Sequence, residues 1–275
     1  MSRPVRVLTD STAGLPATVV AEHALLVVPM TVSAGGRTGA EGTEITAADV
    51  EAALRSRLEL RTAHPGPAAF ATALAAAGDA DVVAVHLSSA LSGTAAAAEH
   101  ALGGAGAVVD SRTCGMGLGL VALAAADEAA AGGSVEAVVA AARAAMARTN
   151  TLFYVESLEA LRRGGRIGAA SALLGSALAV KPLLRMADGV VEPVEKVRTS
   201  SRALARLQAL AVESAGDGPA DLAVMHLAAA DRAAALAECL RAELPAARDV
   251  YLTELSAAVG AHTGLGALGV AVSRR

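Results

Sequence analysis

Residues 88–94 read Ser-Ser-Ala-Leu-Ser-Gly-Thr and bring four hydroxyls, those of Ser88, Ser89, Ser92 and Thr94, to one turn beside Gly93. The apolar run at 82–87 reads as a strand and the alanine-rich run from 95 as a helix, so the turn lies at a strand end and a helix start. Such a point presents unsatisfied N–H groups as well as hydroxyls, which suits a carboxylate or phosphate. A single cap needs one hydroxyl, and four exceed that need. Three other segments have comparable chemistry. Thr9-Asp10-Ser11-Thr12 follows the first apolar run, where α/β sheets gather ligands. Thr62-Ala63-His64-Pro65-Gly66 precedes a helix, and His262-Thr263-Gly264-Leu265-Gly266 precedes the last apolar run. Each also has a structural account: Asp10 and Ser11 as helix caps, Pro65-Gly66 as a plain turn, and His262 as a core histidine. Ser92, His262 and Asp10 together suggest an esterase-like hydrolase triad as an alternative, but the GxSxG elbow that exposes a nucleophile is missing around Ser92.

The elements that must position these groups alternate. Runs at 5–9, 25–32, 82–87 and 107–110 read as strands, and 47–60, 67–77, 93–102, 116–131 and 134–147 as helices, which makes the first half a layered α/β unit. Thr46 followed by Asp49 is a capping-box signal, with Val50, Leu54 and Leu58 recurring on one helix face. The pattern changes near Thr149, dividing the chain into units at 1–149 and 150–275 with a tight interface expected between them. In the second unit, 178–186 and 190–197 read as strands joined at Ala187-Asp188-Gly189, a hairpin signal. Helices are expected at 200–213 and 231–244, and strands at 151–155, 222–227, 249–254 and 267–272.

Composition narrows the function. Of the 275 residues 54% are hydrophobic, yet there are only two Phe, two Tyr and no Trp, so the core must be aliphatic. The scarcity of stacking side chains and a formal net charge of -4 argue against a nucleic-acid partner. Cys114 and Cys239 are far apart and outside any CxxC or Cys/His cluster, so neither a disulfide framework nor a metal site is expected. Without a signal peptide or a membrane-length apolar run, the expected location is the cytoplasm.

The ordered combination of Asp10-Ser11-Thr12 with Leu15-Pro16, residues 62–65, 88–94, Val109-Asp110-Ser111, Gly164-Gly165-Arg166-Ile167-Gly168, Lys181-Pro182 and 262–266 resembles the DegV family of bacterial fatty-acid-binding proteins. The resemblance covers nearly the whole chain. It implies a two-domain α/β fold, with a mainly parallel sheet in the first unit, a mixed sheet in the second, and a tunnel between or within them that encloses one long-chain fatty acid. It also implies a carrier with no catalytic residues and no cofactor of its own. Such a carrier presents the bound carboxylate to a separate fatty acid kinase similar to the dihydroxyacetone kinases, and a transient contact with a membrane surface fits that role. A lipid sensor lacking the kinase is the other reading of the same fold. The resemblance assigns the head group to Thr62, Ser92 and His262, with Ser89 and the backbone of Gly93 and Thr94 as helpers, and turns Arg166, Lys181 and Arg198 toward the partner or phosphate. Ala63 and His64 depart from the family's Thr-Ser-Gln-Pro turn, and Ala95-Ala96 replace a larger pair, so altered head-group geometry and a wider tunnel are expected.

Overall fold

The structure is a computed structural model that describes residues 3–173 and 181–275. Strands β1 (Val5–Asp10), β2 (Leu26–Val28), β3 (Thr31–Ala34), β4 (Arg37–Ala40) and β5 (Leu60–Ala63) accompany helices α1 (Ala17–Glu22) and α2 (Ala47–Arg55). They are followed by α3 (Pro67–Ala75), β6 (Asp81–His86), α4 (Thr94–Leu102), β7 (Gly106–Asp110), α5 (Met116–Ala130) and α6 (Val135–Arg148). The remainder consists of β8 (Thr149–Tyr154), α7 (Glu159–Arg163), β9 (Lys181–Ala187), β10 (Val190–Val197), α8 (Ser200–Ala215), β11 (Ala220–His226), α9 (Ala230–Glu243), β12 (Ala247–Glu254), α10 (Ala257–Thr263) and β13 (Leu268–Arg274).

The first sheet is wholly parallel, in the order β2-β1-β6-β7. Val82, Val83, Ala84 and Val85 are all buried, as expected of a parallel strand covered on both faces. The largest sheet is mixed, in the order β10-β9-β8-β13-β11-β12, with only β11 and β12 parallel. The fold is therefore α/β with one parallel and one mixed sheet. Helices α5 and α6 pack against both sheets and form a shared middle layer, while α3 and α4 cover the far face of the first sheet and α8 and α9 that of the second. Asp188 and Gly189 both take positive φ, 48° and 85°, giving the primed turn that matches strand twist in the β9-β10 hairpin. The expected strand at 178–186 lies partly outside the described residues, and its described part begins at Lys181.

Two expectations are corrected. The helix expected over 47–60 stops at Arg55, because Arg57 turns into the left-handed region at φ 56° and leads the chain into β5. Its capping box is present, but Leu58 is 49% exposed rather than packed. The single strand expected over 25–32 is two, β2 and β3, which join different sheets: β3 pairs with β4 and β5 in a small antiparallel sheet that carries Thr62.

Candidate functional site

A cavity of about 320 Å³ lies where the carboxyl ends of β1 and β6, the end of β5, the segment after α7, and α10 converge. Its inner wall is aliphatic apart from Phe153, with Met30, Leu87, Leu161 and Val191 among its members, while Thr62, His64, Ser92, Arg166 and His262 gather at one side. A smaller chamber of about 40 Å³ shares Cys114, Phe153, Val259 and Thr263 with the cavity and continues it toward Met225 and Leu268. Burial pushes the Cys114 thiol up to about 12, with the nearby Asp10 charge adding to the effect, so Cys114 is an uncharged wall residue.

The polar side is organised around His262. Ser256 caps α10 by accepting from the Val259 N–H, and the short helix sets His262 in its last turn with Nε2 2.8 Å from Thr62 Oγ1. Burial lowers the imidazole to about 4, with the neighbouring Arg166 charge adding to the effect. The ring is neutral near pH 7, so it carries one N–H and one acceptor nitrogen. Its Nδ1 is buried without a hydrogen-bond partner among the described residues. Gly164 forms the floor beneath it: a Cβ there would stand 2.0 Å from Nδ1 and 2.6 Å from Cε1.

The turn at 88–94 divides its hydroxyls between two tasks. Ser88 donates to the Gly189 carbonyl (2.6 Å) and Ser89 to Asp110, so both brace the loop, and Ser89 is not on the cavity wall. Ser92 lies on the wall, its Oγ 2.9 Å from Thr94 Oγ1, and the fully buried Thr94 hydroxyl reaches the Met30 sulfur. Gly93 caps α4 without a side-chain bond, leaving the first N–H groups of the helix uncapped by any side chain. The His64 ring packs directly on Gly93, whose Cβ would lie 3.3 Å from Cδ2. Arg166 joins the two halves of the site, its Nε donating to the Leu91 carbonyl at 3.0 Å and Nη1 to Gly164 at 2.6 Å.

The remaining candidates lie elsewhere. Asp10 is fully buried and accepts from the Thr12 N–H and hydroxyl, the Leu87 N–H, and His86. The triad considered above is therefore not assembled: the acid faces His86, and His262 faces Thr62. Lys181 does not line the cavity, and its Nζ donates to Glu156 Oε2 at 2.8 Å and to the Glu156 carbonyl at 3.1 Å. Arg198 is exposed on the bend after β10. Sequence reasoning missed Glu41, which is 6% exposed and accepts from Ser11 Oγ and from the Ala258 N–H of α10 at 2.6 Å. Burial raises its carboxyl above the usual range, and the hydrogen bonds from Ser11 and Ala258 offset part of that rise. It ties the end of β1 to the helix that carries His262. No periodicity marks it, because β4 is short and polar.

Two layered α/β sheets closing on an apolar cavity, with hydroxyls and a neutral imidazole at its polar side, define a protein of the DegV type. Residues 4–275 match the DegV family model, described as an uncharacterised protein family, and the chain belongs to that family. It is 50% identical over 281 residues to a DegV domain-containing protein of Streptomyces coelicolor, with 100% of both chains covered. Among solved structures it is similar to a DegV family protein from Thermus thermophilus described by its fatty acid binding (TM-score 0.92, 31% identity, 98% of this chain and 99% of that one). It is equally similar to DegV from Bacillus subtilis, described as a fatty acid binding protein (TM-score 0.91, 31% identity, 100% of both chains).

Proposed function

We propose that the chain binds one long-chain fatty acid with its tail in the apolar cavity and its carboxylate at Thr62, Ser92 and His262, assisted by the N–H groups of Gly93 and Thr94. The observation that carries this reading is the Thr62–His262 pair at the polar side of an otherwise apolar cavity. Each methylene removed from water contributes roughly 0.8 kcal/mol, while a buried carboxylate needs donors that replace its water. The fatty-acid-binding descriptions of the Thermus and Bacillus proteins support the same ligand class. In this reading residues 1–149 supply the head-group loops, and 150–275 supply the opposite wall with the 164–168 and 262–266 segments.

The protein acts as a carrier rather than an enzyme. It presents the carboxylate to a separate ATP-dependent fatty acid kinase of the dihydroxyacetone-kinase type, which forms the acyl phosphate. Arg166, beside the head group, faces the transferred phosphate; Arg198 lies on the outer approach for the partner, and Lys181, held by Glu156, has a lesser part. Among the described residues no helix is long and apolar enough to cross a membrane. The carrier works in the cytoplasm and meets the membrane surface transiently to exchange its acid. Native mass spectrometry of the purified protein tests the ligand, with a single fatty acid mass expected per chain. Reconstitution with a kinase of that type, ATP and the acid tests the transfer: no acyl phosphate with a kinase active on another carrier would defeat the kinase role and leave lipid binding standing.

A further inference from the structure

The β8–β9 pairing of the mixed sheet is short and ends beside the cavity. β8 and β9 are paired at Tyr154–Leu183, Phe153–Leu184 and Leu152–Arg185, and the pairing ends there. Beyond that point β8 continues through Thr151 to Thr149 against β13, and β9 continues through Met186 against β10, so Thr151 and Met186 lie just past the end of the β8–β9 pairing. Thr151 is fixed, being buried with its hydroxyl 3.0 Å from that of Thr113. Met186 is only partly buried, and its side chain is long, unbranched and readily repacked.

Met186 is shared by the linings of the cavity and of two surface clefts. One cleft, beneath α6, is bordered by Arg112, Arg143 and Asp188, which would oppose an apolar guest. The other, over α8, also has charged members, Arg185 and Glu213, but it sets Leu152, Leu210 and Val194 beside Met186, and Val194 is 36% exposed, one of few large hydrophobic side chains so placed among the described residues. The closed cavity, at about 320 Å³, is at the lower end of the roughly 300–1,000 Å³ usual for ligand sites. The chamber toward Met225 and Leu268 adds only about 40 Å³, so a very long acyl chain anchored at Thr62 and His262 needs further room, and Met186 is the lining residue that the cavity shares with the α8 cleft.

We propose that Met186 is the door of a second opening, between β8 and β9, through which the methyl end of an acyl chain too long for the closed cavity emerges into the Val194–Leu210 cleft. This rests on the fatty-acid reading above and extends it: the ligand class includes very-long-chain acids whose tails leave the protein. Met186 is then the residue that sets the upper length limit.

The test is competition between lignoceric and palmitic acids, read as the ratio of the two complexes by native mass spectrometry. Met186→Ala is expected to raise the lignoceric-to-palmitic ratio roughly tenfold, the equivalent of about 1.4 kcal/mol, and Met186→Trp to lower it. Opposite shifts from one position cannot come from a folding defect. Val194→Asp, at the surface and away from the head group, is expected to lower the ratio by placing a charge on the emerging tail. A ratio unmoved by both Met186→Ala and Val194→Asp overturns the second opening while the carrier reading stands. Uptake of neither acid by the wild-type protein overturns the carrier reading, and the opening with it.

Discussion

Replacing Gly164 with alanine tests the head-group assignment through a residue that need not touch the ligand. Gly164 has φ -75° and ψ -10°, which alanine adopts freely, so the backbone is unstrained. The new methyl would stand 2.0 Å from His262 Nδ1, against the roughly 3.5–4.0 Å of a relaxed carbon contact. The imidazole must move by more than an ångström, and its 2.8 Å bond to Thr62 breaks. Losing a buried hydrogen bond costs about 1–3 kcal/mol, so fatty-acid affinity is expected to fall roughly 5- to 150-fold. The neighbouring Gly165 is the control. It has φ 70° and no atom within 4 Å of a built Cβ, so Gly165→Ala should cost about 1 kcal/mol of stability through strain and leave the imidazole in place. Displacement titration with a fluorescent fatty acid gives the affinities, and urea unfolding gives the stabilities. Wild-type affinity in Gly164→Ala would refute the assignment of His262 to the carboxylate.

Other outcomes follow from the same geometry. Ser92→Ala should weaken binding several-fold, and Ser89→Ala, which removes one of the three hydrogen bonds that Asp110 accepts from Ser89 and Arg112, should mainly lower stability by about 1 kcal/mol; calorimetry on both variants separates the roles. Asp10→Ala leaves the Thr12 and Leu87 N–H groups and His86 without their acceptor, and is expected to cost about 3 kcal/mol or more in urea unfolding. Burial holds the folded His262 below its ordinary 6.5, at about 4, so the unfolded chain binds more protons between those values. Stability from this group is complete above about pH 6.5 and is lost as pH falls toward 4. Glu41, raised by burial, acts in the opposite sense, so the comparison to make is wild type against His262→Asn, which should flatten that slope.

The layered elements were legible because long apolar or alanine-rich periods dominate them. β1, β6 and β7 are buried parallel strands with near-continuous aliphatic sequence, and the Asp188-Gly189 turn has chemistry suited to little else. The small sheet was not legible: Arg37–Ala40 and Leu60–Ala63 are four residues each and largely polar or half-exposed, so only their pairing with Thr31–Ala34 makes them strands. α10 hid in a glycine-rich stretch because its seven residues are too few to show a helical period. In the candidate site, residue type singled out the segments that carry Thr62, Ser92 and His262, and the resemblance joined the three; the structure brings Thr62 and His262 within 2.8 Å and sets Ser92 on the same cavity wall. The brace roles of Ser88 and Ser89 and the capture of Lys181 by Glu156 depend on partners 21 to 101 residues away, which no local pattern encodes.

The hydrogen bond between Thr62 and His262 spans 200 residues of chain. Contacts of such separation bear the full entropy of loop closure and form late in folding. A growing chain on the ribosome can thus finish its parallel sheet, complete at Asp110, long before α10 at Ala257–Thr263 has been synthesised. On the fatty-acid reading proposed above, the clamp is completed only when α10 is made, and a chain ending before Ala257 would lack it.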